Sequence, residues 1–306
     1  MLENILKEYG YNNNQISKMK DNYLIKKAKQ ETLTKNIIEL FSYLENIGYK
    51  KQQIIKITSS CPYVLTITTQ NIEQKIKYLK DLGYTKEEII KMTTLTPRIF
   101  GYNIETIKQR INDYVEVGYT KEEILKMIGN YSILLGYGKE NINNKINDLL
   151  LLGHTKKQVL HITYLFPQIY SYSIENIKQK IENAINLGIT KEDVIKIATT
   201  FPSFYGTDVE TSKEKILYLR SIGLEEIIIK DPKKLMQSVD LTYARYNYLT
   251  KEKNIEINDK TYKYLFYDAK RFELQFGIDK KTIIERYNYD KKIRNKEENN
   301  TKKKQK

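Results

Sequence analysis

Glycine returns at positions 48, 83, 118, 153, 188 and 223 of this 306-residue chain, in five successive steps of 35 residues. Fourteen residues after each of the first five stand Pro62, Pro97, Ser132, Pro167 and Pro202. A self-similar period of this length marks a stacked architecture, in which each unit buries its apolar face only against its neighbours. The expected fold is therefore all-α, a superhelical solenoid of helix-turn-helix units of 35 residues.

Local chemistry divides each unit. Thr85, Thr120, Thr155 and Thr190 stand at N-cap positions, with Glu88, Glu123, Gln158 and Asp193 three residues on. In this capping box the hydroxyl and the acidic or amide side chain satisfy each other's orphan amide groups, which fixes the start of a first helix. Apolar residues such as Ile89, Ile90 and Met92 give that helix a core stripe. Pro97 and its equivalents end it, because proline lacks an amide proton and disfavours helical geometry in the residue before it. A short apolar pair follows (Val64-Leu65, Ile99-Phe100, Leu134-Leu135, Ile169-Tyr170, Phe204-Tyr205), read as a tight turn or 3₁₀ segment. A second helix then starts at Thr68, Asn103, Gly138, Ser173 and Asp208, and the next glycine closes it.

Four segments are expected. Residues 1–47 read as a degenerate first repeat that caps the stack, and 48–231 as the regular repeats. Residues 232–287 read as closing helices, because Pro232 arrives five residues early, although Phe276 to Ile284 resembles one more first-helix start. Residues 288–306 read as a basic, disordered tail.

The formal net charge is +14, from 52 Lys+Arg against 38 Asp+Glu, of which residues 286–306 supply nine bases and three acids. That excess favours a polyanionic partner. The single cysteine, Cys61, excludes an internal disulfide framework. No apolar run approaches the roughly 18 residues that span a bilayer, and the first 30 residues lack the character of a signal or transit peptide. The expectation is a cytoplasmic monomer with no membrane contact.

The unit L-G-[YI]-T-K-E-[ED]-[IV]-[IL]-K, then P-x-[IVF]-[LFY], then E-x-[IS]-x-x-[KR]-I, runs from Leu82 to Ile111 and again from Leu187 to Ile216. It resembles the repeat of the mitochondrial transcription termination factor (mTERF) family over about residues 36 to 240. The resemblance implies a left-handed superhelix with two α-helices and one 3₁₀ turn per repeat. It also implies a basic concave surface that binds double-stranded DNA or, in some members, RNA, and a role in transcription termination or regulation. Ser132 in place of proline is a departure from the pattern, and the missing presequence leaves the "mitochondrial" part of the name unsupported.

The tandem period lets charged positions be compared. Lys91, Lys126 and Lys196 each follow Glu87, Glu122 and Glu192 by four residues, the favourable order for local pairing, and Lys108, Lys178 and Lys213 follow Glu105, Glu175 and Glu210 by three. One position differs: Lys75, Arg110, Lys145, Lys180 and Lys215 are basic in all five copies, with no acid three or four residues before any of them. The 100° helical step places them at the edge of the buried face, where they either line a nucleic-acid groove or cap carbonyls and pair with acids of the next repeat. Asn71, Thr106, Asn141, Asn176 and Thr211, one turn earlier, are polar groups suited to phosphate contacts. Tyr102, Tyr137 and Tyr172 recur at one position and read as core.

No catalytic constellation stands out. His154 and His161 replace a tyrosine and a lysine of other copies, so they read as variation within a repeat rather than a metal pair. Cys61 has no evident base partner, and Gly136-Tyr137-Gly138-Lys139 lacks the spacing of a phosphate loop. The expectation is a non-enzymatic protein without cofactor or metal, binding nucleic acid with duplex DNA favoured over RNA. The alternative is a protein-interaction solenoid whose charge is incidental.

Overall fold

In the computed structural model, residues 2–289 are described; all of their regular structure is helical. The basic run of residues 290–306 lies outside the described residues. The chain divides into two compact units, Met1–Asn147 and Asp148–Lys306.

The first unit opens with α1 (Leu2–Tyr9), α2 (Asn13–Asp21), α3 (Tyr23–Lys27) and α4 (Gln30–Asn46). Asn12 caps α2 through a complete capping box with Gln15, so the degenerate first repeat keeps the chemistry of the others. Regular repeats follow as α5 (Lys51–Ser60) and α6 (Thr69–Asp81), α7 (Lys86–Leu95) and α8 (Ile104–Val117), then α9 (Lys121–Asn130) and α10 (Lys139–Leu151). Helix α10 crosses the unit boundary. Between the helices of each pair lies a five-residue 3₁₀ turn: Pro62–Thr66, Pro97–Gly101 or Ser132–Gly136.

First helices α5, α7 and α9 pack side by side, second helices α4 and α6 form the opposing layer, and the 3₁₀ turns close one edge. The predicted stripes are the seam: Ile54, Ile57, Ile72, Ile89, Met92, Ile107, Ile124 and the pairs Val64-Leu65 and Ile99-Phe100 are all buried. Each such side chain stabilises the stack by roughly 1.5–3 kcal/mol. The recurring glycine is required by backbone geometry. At Gly48 φ is +97°, and the amides of Gly48 and Tyr49 donate back to the carbonyls of Glu45 and Leu44, closing α4.

Polar contacts lock neighbouring repeats in register. The tyrosine after the glycine reaches into the next first helix: Tyr11 Oη meets Thr58 Oγ1 at 2.6 Å and Tyr49 Oη meets Thr93 Oγ1 at 2.7 Å. Where Ile128 replaces that threonine, Tyr84 Oη donates to the Leu125 carbonyl at 2.7 Å instead. Ser132, the exception among the prolines, is buried and its hydroxyl meets Thr96 Oγ1 at 2.7 Å.

The second unit repeats the order with α11 (Lys156–Leu165), α12 (Ile174–Asn186), α13 (Lys191–Thr200), α14 (Val209–Ser221), α15 (Glu226–Lys230) and α16 (Val239–Asn247). Its turns are Pro167–Ser171, Pro202–Gly206 and Pro232–Met236. His154, at the tyrosine position, is buried, and its Nε2 lies 2.7 Å from Tyr205 Oη; burial pushes its pKa down to about 4. That is a tyrosine's bridging role filled by another ring, since Ala198 offers no hydroxyl. His161 is exposed.

Beyond residue 231 the same order continues. After a π-helical turn, Tyr248–Glu252, come a 3₁₀ turn at Tyr262–Phe266, then α17 (Ala269–Phe276), Gly277 with φ +73°, and α18 (Lys280–Arg286) capped by Asp279. Tyr289, read from sequence as part of a disordered tail, is instead buried against Tyr218 of α14 and Tyr243 of α16, with ring centroids 5.7 and 4.8 Å away.

Candidate functional site

The recurring base of the second helix was placed by its sequence at a groove edge; the structure turns it inward. Lys215 is 0% exposed and Lys145 7%, while Lys75, Arg110 and Lys180 are half-buried. Lys180 donates from Nζ to the carbonyl of Thr207, the residue before the N-cap of the following second helix. Lys215 donates to the hydroxyl of Thr242 and reaches the carbonyl of Ser238, the N-cap of α16, at 3.5 Å. Arg110 pairs with buried Asp113 at 3.1 Å and lies against Gly138, where a Cβ would sit 3.0 Å from Nη1.

Two of these side chains are straps between repeats. Lys180 and Lys215 carry a donor from one second helix to the start of the next, where the 3₁₀ turn leaves carbonyls unsatisfied, while Arg110 pairs within its own helix. Lys145 and Lys215 are buried and Lys180 is committed to a carbonyl, so these three positions are withdrawn as a nucleic-acid track; Lys75 and Arg110 are half-buried. The reading of carbonyl capping, left open by the sequence, describes Lys180 and Lys215.

The sequence also concealed a further strap. Arg245 is 1% exposed; its Nη1 donates to the carbonyls of Tyr267 at 2.6 Å and Leu265 at 3.0 Å, and the guanidinium carbon lies 4.2 Å from the centre of the Phe272 ring. Tyr267 precedes the N-cap Asp268, as Thr207 precedes Asp208. At the other end of the chain, Asn36 donates to the carbonyls of Leu65 and Ile67 at 2.8 and 2.9 Å, an uncharged version of the same contact.

Burial lowers the pKa of Lys75 and Lys180 and takes Lys215 down to about 7, the nearby Asp240 opposing the shift. Between about pH 7 and the ordinary lysine value the unfolded chain binds more protons at this site than the folded one, so stability rises with pH there. The slope from this one group reaches about 1.4 kcal/mol per pH unit. Denaturant melts from pH 7 to 9 are expected to show that rise in the native protein and a flatter profile in Lys215→Met. Equal slopes would contradict the assignment.

The polar residues one turn earlier stay outside. Asn71, Asn141, Asn176 and Thr211 are exposed and Thr106 is half-buried, all in the first turn of second helices. The backbone amides of four of them are taken by the N-caps, as in Thr106 to Asn103 at 2.6 Å and Thr211 to Asp208 at 2.9 Å. Tyr102, Tyr137 and Tyr172 are half-buried rather than core, with Tyr172 edge-on to Phe166 at 5.7 Å. Cys61 is buried, and burial pushes its thiol pKa up, which makes it a poor nucleophile.

Lysines on the second helices such as Lys77 and Lys178 are exposed, but the exposed column that recurs in every regular copy lies on the first helices. Every regular copy begins with lysine at its first helical position, Lys51, Lys86, Lys121, Lys156 and Lys191, and all five are exposed. This column was legible in the sequence and was masked by the glutamates beside it. Local pairing varies from copy to copy: Lys108 pairs with Glu105 at 2.7 Å and Lys213 with Glu210 at 3.8 Å on second helices, whereas Lys91 and Lys196 on first helices do not come within 4.0 Å of Glu87 and Glu192.

Two first helices differ in charge. Residues 50–60 hold Lys50, Lys51 and Lys56 and no acid; residues 155–165 hold Lys156, Lys157 and His161 and no acid. The starts of α7, α9 and α13 carry two lysines and two acids each. At both acid-free starts glutamine takes over the capping box: Gln53 Oε1 accepts from the Lys50 amide and Gln158 Oε1 from the Thr155 amide, both at 2.8 Å, the distance Glu88 gives at Thr85. The amide keeps the geometry and removes the charge. A carboxylate there would favour the helix dipole by about 0.3–1 kcal/mol, so helix stability does not account for its loss. Lys50, Lys51, Lys56 and Lys156 are exposed, as is Lys157, and Lys51 also covers the Tyr9 ring at 4.6 Å. One such patch lies in each compact unit.

No helix among the described residues is long and apolar enough to cross a membrane. Among curated proteins no match is found. The sequence model of the mTERF family matches residues 4–151 and 139–273, two overlapping stretches that cover most of the 306 residues. With the α-α-3₁₀ order of its repeats, that match establishes that the chain belongs to the mTERF family, helical-repeat proteins that generally bind nucleic acid.

Proposed function

We propose that this protein is a non-enzymatic, duplex-DNA-binding regulator of transcription, acting at termination or a related step, and that it contacts the phosphate backbone through the first helices of its repeats. The observation that carries this reading is the pair of acid-free helix starts, where Lys50, Lys51, Lys56, Lys156 and Lys157 stand exposed while glutamine preserves the cap. Backbone neutralisation of this kind supplies affinity that is strongly salt-dependent and carries little sequence information.

The first patch favours a duplex over a single strand, because residues 50–60 contain no aromatic side chain and the nearby Tyr9 ring is covered by Lys51 at 4.6 Å; the second patch sets His161 and Tyr164 beside its lysines. The two patches also explain why the inward straps do not weaken the reading; the straps hold the repeats, and separate lysines face the solvent. Fluorescence anisotropy of the full chain with a labelled 20-base-pair DNA duplex, its separated strands and a matched RNA duplex, at two salt concentrations, is the test. Tighter binding of the DNA duplex than of either alternative is expected, and preference for single strands would overturn the duplex assignment.

A further inference from the structure

An open groove of about 590 Å³ runs between α5 and α7 in the first unit. Its walls bring together Lys50 and Gln53 from α5 and Lys86, Ile90, Lys91 and Leu95 from α7, with Glu87 the one acid among its lining residues. Leu95 is 57% exposed although it belongs to a helix whose other large apolar residues are covered or half-covered. A single exposed leucine is ordinary on a protein surface. Here it shares a groove with half-buried Ile90, between lysines that no carboxylate of the described residues engages.

The other repeats do not offer this combination. At the place of Leu95 stand Asn130 in α9, Leu165 in α11, itself 50% exposed, and Thr200 in α13; but the first helices before α9 and α11 carry Thr85 and Glu88, and Thr120 and Glu123, where α5 carries Lys50 and Gln53, so the leucine and the acid-free wall occur together only at α5 and α7 among these copies. Phosphate recognition has no use for an apolar floor, and a purely hydrophobic partner has none for three lysines. The combination matches a ligand with an apolar stripe and an acidic flank.

We propose that the groove between α5 and α7 is a docking site for a short acidic amphipathic helix of a partner protein. The α7 wall is a ten-residue helix about 15 Å long, which accommodates two to three turns of helix, and the start of α5 faces it with Lys50 and Gln53. Leucines spaced i, i+4 and i+7 would lie along Ile90 and Leu95, with glutamates directed to Lys50, Lys86 and Lys91 and away from Glu87. Because Lys50 also belongs to the proposed DNA-contacting patch, a helix seated here competes with the duplex at the first regular repeat.

The test uses the full chain and a labelled 12-residue synthetic peptide with leucines at i, i+4 and i+7 and glutamates elsewhere. A scrambled peptide of the same composition and polyglutamate serve as controls. The patterned peptide is expected to bind at least about tenfold more tightly than the scrambled one. Leu95→Asn, at an exposed position that leaves folding intact, is expected to remove that advantage without changing duplex affinity, and Lys86→Gln with Lys91→Gln to weaken the peptide further. Equal binding of scrambled peptide or polyglutamate, or an unaffected Leu95→Asn, would reduce the groove to unselective charge and overturn the proposal. Loss of duplex binding in Leu95→Asn would assign the groove to nucleic acid and overturn it too. Duplex affinity is measured alongside, so a protein that takes the peptide and no DNA fails the functional reading while keeping this one.

Discussion

Replacing Arg245 by methionine is expected to destabilise the second unit by about 3 kcal/mol, lowering its melting temperature by roughly 6–12 °C for a unit of this size. The guanidinium is 1% exposed and serves the carbonyls of Leu265 and Tyr267 at 3.0 and 2.6 Å. Hydrogen bonds to a charged donor each contribute about 1.5–3 kcal/mol; when the donor goes the Leu265 carbonyl keeps its bond from Gln237 Nε2 at 2.8 Å, while the Tyr267 carbonyl loses its guanidinium donor. Methionine fills the space beside Phe272 and removes the cost of burying a charge, so the loss is less than the sum of the bonds. Arg245→Lys is expected to recover part of the stability, because an ammonium can donate to the carbonyls that Nη1 serves but lacks the planar guanidinium that packs on the Phe272 ring. A thermal melt followed by circular dichroism decides it; a shift below about 2 °C would show that the strap contributes nothing to stacking.

That residue also shows where the sequence stopped being readable. The repeat length was legible because capping, helix-breaking and positive-φ glycine chemistry are local, and each left its residue type at a fixed spacing: Thr85 with Glu88, then Pro97, then Gly118. Arg245 escaped because helix α15 is only five residues, Glu226–Lys230, so the next strap falls 30 rather than 35 positions after Lys215. Counted from the turn instead, it is in place: Arg245 stands thirteen residues after Pro232, as Lys215 does after Pro202. The period belongs to the contact between turn and second helix, and the first helix can be shortened without disturbing it.

The direction of the strap column was not legible at all. A helical step places Lys180 at the rim of the buried face, but whether it leans toward solvent or toward the next repeat depends on where that repeat presents a free carbonyl, here Thr207. Such information is tertiary. The exposed lysines erred in the opposite direction: Glu87 before Lys91 looked like a neutralised pair, yet surface pairs of this kind are worth about 0–1 kcal/mol and do not hold two flexible side chains together. The informative signal was a substitution that leaves structure unchanged, glutamine for glutamate at positions 53 and 158.

The second large effect follows from those two positions. Changing Lys50, Lys51, Lys56, Lys156 and Lys157 together to glutamine removes five exposed cations and none of the cap acceptors, Gln53 and Gln158, so folding is expected to be preserved. If each lysine neutralises one phosphate, the slope of log K against log salt becomes shallower by about 0.9 per residue, or about 4 to 5 in all. Near physiological salt that corresponds to an affinity on the order of a thousandfold weaker. Changing the strap residues Lys180 and Lys215 to methionine, by contrast, is expected to alter stability and leave the salt slope as it was.

The most direct measurement is therefore the salt dependence of duplex binding by the native chain, the five-lysine variant and the Lys180→Met, Lys215→Met variant, read by fluorescence anisotropy between 50 and 300 mM salt. The account predicts a steep slope in the native protein, a slope shallower by about 4 to 5 in the first variant and an unchanged slope in the second. An unchanged slope in the five-lysine variant, with the loss appearing in the strap variant instead, would contradict it.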